Sequence, residues 1–312
     1  MAFIKALIIS LVVALTASVA AAGYQSIENE HFIIRFSAGD ASIAQDLAEE
    51  SKDIRRRIIG DIGIDFPEKT VVIISPTIEA FQDDQPRGSW VPLWAAGVAY
   101  PERNLIVLRS PKSIKKGHID VPEIFIHEFT HIALGRALKG IDVPVWLNEG
   151  LAMYESREWK LHRHAVLTQA VLTGKLIPLQ VLTRSFPVDK HAAELAYAES
   201  FIFISFIINK IGREAFHQFI RNYSRSGHLE SSLRHATGMP LDELASNWLS
   251  YLKLRSSWLP IILSASTLWF VASLVFIYGY FRKKRAARRK ILQWEEEERL
   301  QAAEDERPGY LH

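Results

Sequence analysis

The chain of 312 residues contains no cysteine. Disulfide frameworks, thiolate metal sites and cysteine nucleophiles are excluded, so any metal site must be built from His, Asp or Glu. The absence does not identify a compartment, because a domain of this size buries enough core without covalent staples. Net charge is scarce as well: 37 Lys and Arg against 35 Asp and Glu leave +2, which gives no global electrostatic case for a nucleic-acid partner. The chain also shows no internal repeat and no long low-complexity linker. What is present, 48% hydrophobic and 23% charged residues, suits one sizeable globular domain with appendages and argues against disorder.

Two segments stand apart from that domain. The N-terminus MAFIKALIISLVVALTASVAAAG carries one early charge, Lys5, then an apolar run and small residues. This is the pattern of a secretory signal over 1–22, cut near Ala20 to Ala22. Between Arg255 and Arg282 no charged residue occurs over 26 positions, enough to cross a bilayer as one helix over 258–281, with Trp258, Tyr278 and Tyr280 as interfacial aromatics. RKKRAARRK follows at once, so the positive-inside bias places the charged tail 282–312 in the cytoplasm and residues 23–257 outside it. The expected protein is single-pass, with the lipid bilayer as one partner. Its basic run can also touch anionic headgroups.

The outer domain opens with strand-like HFIIRFSA (31–38), a helical stretch 41–60 ending at Gly60, and the β-branched run TVVIIS (70–75). AAGVAY (95–100) and NLIVLRS (104–110) form a hairpin turned by Pro101, Glu102 and Arg103. From Val121 onward the chain reads as helix. A small sheet followed by helices is an α+β layout, with a mixed sheet of about four strands.

VPEIFIHEFTHIALGRAL (121–138) has a proline near its start and Gly140 past its end, good helix boundaries. His127 and His131, four apart, project from one helix face and suit a single tetrahedral zinc. Glu128 points to the side of that pair, where it can act as general base on a water at the metal. A catalytic zinc needs a third protein ligand, and 18 residues after His131 comes VWLNEGLAMYES with Glu149 among Trp146, Leu147, Leu151 and Met153. A lone carboxylate is costly to bury there, and metal ligation removes that cost. The intervening GRALKGIDVP lets the second helix fold back on the first.

HEFTH followed by WLNEGLAMY resembles the gluzincin metallopeptidases, and most of all the bacterial peptidase MA-like domain, over about Trp90 to Leu252. The resemblance implies a zincin-like fold and one zinc per chain. It implies His127, His131 and Glu149 as ligands and Glu128 as catalytic base. It further implies that Tyr197, in LAYAESFIFISFI, supports the oxyanion, with Tyr154 and His191 as weaker candidates. The hairpin AAGVAYPERNLIVL resembles the edge above the metal, where an extended peptide could add as a strand. The spacing to Glu149 is one residue shorter than in the aminopeptidases. Met153 stands where thermolysin has an acidic residue four after its ligand Glu, and the Gly-x-Met-Glu-Asn exopeptidase signature is absent. The expected activity is a zinc-dependent peptidase acting on peptide or protein substrates as an endopeptidase. The alternative is an inactive zincin-fold scaffold or sensor for envelope partners.

Overall fold

The computed structural model describes residues 23–305 except 90, 93, 115–118, 159–160, 188 and 263, with backbone alone at 161–162, 190, 255–262 and 301–305. The signal segment expected at 1–22 lies outside the described residues. The chain forms two compact units, up to Tyr251 and from Leu252.

In the first unit, β1 (Tyr24–Glu28), β2 (Phe32–Ser37), α1 (Ala41–Ile62), β3 (Thr70–Ser75), α2 (Ile78–Asp83), β4 (Gly97–Tyr100) and β5 (Leu105–Arg109) build a sheet of order β1-β2-β3-β5-β4. The two outer pairings are antiparallel and the two inner ones parallel. The sheet is therefore mixed, as expected, and among the described residues it has five strands where about four were expected. β1 escapes a periodicity reading because only Ile27 among its five residues is buried. What makes it a strand is its ladder with β2, from Tyr24 opposite Ser37 to Glu28 opposite Ile33. The helix expected to stop at Gly60 runs on to Ile62 and ends at Gly63, whose φ of 80° permits the closing bond to Ile59 O.

One face of the sheet, with Phe32, Ile34, Val72, Ile74, Ile106 and Leu108 all buried, meets α1 and α3 (Val121–Leu138). The other face carries a smaller cluster of Ile73, Phe81 and Val107, roofed by α2 and by Val91 and Ala95. Asp120 caps α3 by accepting from Glu123 N, and Pro122 sits in its first turn, where a missing N–H costs nothing. Phe125 and Phe129, one turn apart, stand edge-on to Phe32 at 5.4 and 5.2 Å.

The helical half continues with α4 (Val145–Ser156), α5 (Leu161–Thr173), α6 (Leu179–Arg184), α7 (Lys190–Ser226), α8 (Leu229–Thr237) and α9 (Leu241–Ile262). α7 is long and apolar enough to pass for a membrane span, but 44% of its apolar window is buried and it packs on α4 as a core helix. Its kink at Gly212 divides two tasks. Before the kink, Phe203 meets Trp146 of α4 at 5.0 Å and Trp248 of α9 at 5.2 Å. After it, Tyr223 and Ser224 donate to Asp142 O and Ala137 O, pinning the turn between α3 and α4.

In the second unit, α10 (Ala265–Asp305) exposes Leu268, Trp269, Phe270, Val271, Phe276 and their neighbours. The single helix expected over 258–281 is instead interrupted: α9 ends at Ile262, and Ser264 Oγ accepts from Thr267 N to start α10. Pro260 contributes no N–H to the final turn of α9, and a serine cap follows within four residues.

Glu199 of α7 is fully buried. Its Oε1 accepts from Ile177 N at 3.0 Å, and its Oε2 has no hydrogen-bond partner. Burial pushes the carboxyl up to about 8, with the Ile177 bond offsetting only part. The native group is therefore protonated where the unfolded one, near 4.5, is ionised. Its stability contribution is complete below about pH 4.5 and is lost as the pH rises to about 8. Glu199→Gln, which cannot ionise, is expected to gain on the wild type steadily between pH 5 and pH 8 in urea unfolding. Parallel pH profiles would contradict this.

Candidate metal centre

α3 is buried on two sides for different reasons. Phe125 and Phe129 face the sheet, and His127 and His131, two positions on, are rotated by about 200° and face α4. The α3–α4 turn reverses the chain through Lys139 and Gly140, both at positive φ. Glu149 then lies opposite the two imidazoles. Its Oε2 is 3.6 Å from His127 Nε2 and 3.8 Å from His131 Nε2. All three residues can offer donor atoms within 4.8 Å of one another. Donors about 2.0 Å from a tetrahedral zinc sit about 3.3 Å apart, and the two carboxylate–imidazole separations of 3.6 and 3.8 Å lie close to that spacing.

The ring orientations support the same donors. His131 Nδ1 donates to Asn148 Oδ1 at 3.0 Å, which leaves the lone pair on Nε2. His127 Nδ1 faces Glu158 Oε2 at 3.5 Å, and its Nε2 also points to Glu149. Asn148 and Glu158 were missed in the sequence. Asn148, the neighbour of Glu149, could have been suspected from its place in WLNEG, whereas Glu158 lies in loop sequence with no periodic signal.

The electrostatics are those of an acid-rich pocket. Burial alone would lower His127, but Glu149 and Glu158 outweigh it and hold the imidazole at about 10. Such a drive to hold positive charge is what a dication would meet. Burial would raise Glu149, yet His131 and His127 keep its carboxyl below the ordinary range. Glu128, buried beside the pair, moves the other way: desolvation raises it, and the two histidines offset only part. A raised carboxyl suits a group that must take up a proton as well as release it.

Two glycines set the approach of neighbouring elements. A Cβ on Gly97 of β4 would lie 2.6 Å from Ile124 Cγ2 and 2.9 Å from Glu128 Cγ, so the edge strand rests directly on the helix carrying the acid. A Cβ on Gly150 would lie 2.5 Å from Ser200 O, so α7 comes close to α4 beside Glu149.

That approach bears on Tyr197. Its hydroxyl is raised by burial and then by the charges of Glu149, Glu128 and Glu158, which puts it in electrostatic reach of the cluster. Its ring stands edge-on to Phe186 at 4.8 Å. Tyr154 instead faces Phe201 and lines a small cavity with Asp61, Glu155 and Arg213, and His191 is exposed. A crevice of about 450 Å³ at Glu30, His31, Lys52 and Arg55 shares no residue with the cluster.

Two helices presenting two imidazoles and a carboxylate to one point, with a further acid beside them, define a candidate centre of the HExxH-plus-Glu class. The chain belongs to the Peptidase MA superfamily, whose family model matches residues 58–254, starting well before Trp90. The fold is thus that of the peptidase family, and two imidazoles with a carboxylate form a donor set that could hold one metal ion. Over 133 residues the chain is 24% identical to the uncharacterized protein YhcO of Bacillus subtilis (strain 168), covering 40% of this chain and 39% of that protein. Among solved structures it is similar to a mutant two-domain M1 zinc metallopeptidase bound to L-arginine, at 14% identity and a TM-score of 0.37, covering 71% of this chain and 48% of that one. A mutant M1 zinc metallopeptidase from Deinococcus radiodurans is similar at 14% identity and 0.37, covering 70% and 48%. The chain spans less than half the length of each of these proteins.

Alanine in place of a helical glycine normally gains about 1 kcal/mol. At Gly150 the obstacle is the backbone carbonyl of Ser200, which moves only if α7 moves, and overpacking of this kind costs about 1–3 kcal/mol. Gly150→Ala is therefore expected to lower stability in urea unfolding. A gain would mean that the α4–α7 interface is loose.

Proposed function

We propose that the chain is a membrane-anchored zinc peptidase in which His127, His131 and Glu149 hold the metal and Glu128 is the general base. The observation that carries this reading is the convergence of the three donors with Glu128 alongside. When bound, zinc supplies Lewis acidity toward a peptide carbonyl and an attacking water. Glu128 takes the proton of that water and passes it to the leaving amine. Tyr197, on the helix drawn close by Gly150, donates toward the oxygen on which negative charge develops. The free edge of β4, resting on Glu128 through Gly97, offers a peptide a strand to pair with. The absence of an exopeptidase signature on that strand favours internal cleavage.

We place the domain outside the cytoplasm, behind a cleaved signal over 1–22. For the anchor, Ala265 to Phe281 of α10 is a charge-free run of 17 residues, about 25 Å long. That is close to the roughly 30 Å hydrocarbon core, and Arg282 to Lys290 can reach back to the headgroups. The tail from Arg282 is then cytoplasmic.

The test uses the full chain in detergent. Elemental mass spectrometry is expected to find about one zinc per chain, lost in Glu149→Ala. Glu128→Gln should keep its zinc and lose about 10²–10⁴-fold in peptide cleavage. Zinc retained with biological activity undiminished in Glu128→Gln would favour a scaffold or sensor instead. A folded chain with no stoichiometric metal after reconstitution would end the zinc reading.

A further inference from the structure

The imidazole of His127 has two nitrogens, and the zinc reading uses only Nε2. Its Nδ1 is buried and completes no hydrogen bond in this geometry, and the acceptor that faces it is Glu158 Oε2 at 3.5 Å. If Nε2 binds a metal, Nδ1 carries the proton and needs an acceptor, because a buried N–H without one is destabilising. We infer that Glu158, clamped by Arg163, is the positioning residue that fixes His127 for metal binding. This rests on the zinc reading and deepens it.

Glu158 is well placed for the role. α4 ends at Arg157 in the left-handed region, with φ of 56°, and Glu158 N then bonds back to Met153 O at 3.2 Å. The end of the helix that carries Glu149 thus turns Glu158 under the imidazole. Its other oxygen, Oε1, accepts from Arg163 Nη2 at 2.9 Å, and its carbonyl accepts from Arg163 Nη1. Arg163, on α5, is 7% exposed, and its Nε lies 3.3 Å from Glu194 Oε2 on α7, one turn before Tyr197. A guanidinium so buried is held in one orientation by carboxylates on two sides. It fixes the orientation of the Glu158 carboxylate, which a freely rotating surface acid would lack. Four residues after Glu149, the helix offers only buried Met153. The carboxylate comes instead from nine residues on, beyond the helix end.

The alternative is that Glu158 and Arg163 form a structural ion pair indifferent to the metal. The two differ in the zinc affinity of the full chain in detergent, measured by competition with a chromophoric chelator, beside thermal unfolding of the metal-free form. Glu158→Ala is expected to weaken zinc binding about 10–100-fold. Glu158→Gln, whose amide oxygen still accepts, should recover part of that loss and keeps the test open should the alanine variant not fold. Arg163→Met, which leaves the acceptor but frees it, should weaken binding less than Glu158→Ala. With Co²⁺ in place of zinc, the visible absorption band of Glu158→Gln should shift at full occupancy, which a distant structural pair would not cause. Affinities within twofold of wild type and an unshifted Co²⁺ band in both foldable Glu158 variants would overturn the inference. Failure of the wild type itself to bind zinc would overturn the metal reading beneath it.

Discussion

The rotation of α3 about its own axis is the constraint on which the rest depends. Phe125 and Phe129 wedge against Phe32 of the inner strand β2, and that contact decides which way His127 and His131 point. Turned by two residues, about 200°, the helix would bury its imidazoles in the sheet and offer phenylalanine to α4. Aromatic burial of this size dominates local energetics, so the polar face of α3 inherits its direction from the apolar one.

From that orientation the remaining parts follow as partners. α4 must lie antiparallel and close, and the turn that brings it there is held from outside by Tyr223 and Ser224 of α7. α7 in turn approaches α4 at Gly150, which carries Tyr197 toward the same cluster. A single long helix therefore both pins the turn that aligns the donors and lines the site. The kink at Gly212 lets its two halves do this in different directions.

The concentration of acids sets this region apart from ordinary packing. Glu128, Glu149 and Glu158 share a small buried volume, with His127, His131 and Arg163 as their counterweights. Glu158 is held down at about 2 despite burial, chiefly by His127 and Arg163, while the neighbouring Glu128 is raised. Pushing neighbouring carboxyls apart in this way separates a permanently charged support from an acid able to exchange a proton.

Much of this was legible in the order of residues. The i, i+4 histidines, the aspartate and proline that open α3, and Glu149 stranded among apolar neighbours are all local patterns, because a helix repeats every few residues. The strands β2, β3 and β5 were readable for the same reason. What lay beyond reach depended on distance in sequence. β1 is a strand because β2 pairs with it, and the apolar run after Arg255 is divided by a cap that hydropathy does not register. Glu158 faces His127 only because a left-handed residue ends α4 there and Arg163 closes over it. The sequence by itself determined which histidines and glutamates are candidates and which helices carry them, since these follow from residue type and spacing. Only the tertiary structure decided which side chains face those candidates, because that choice depends on contacts between elements far apart along the chain.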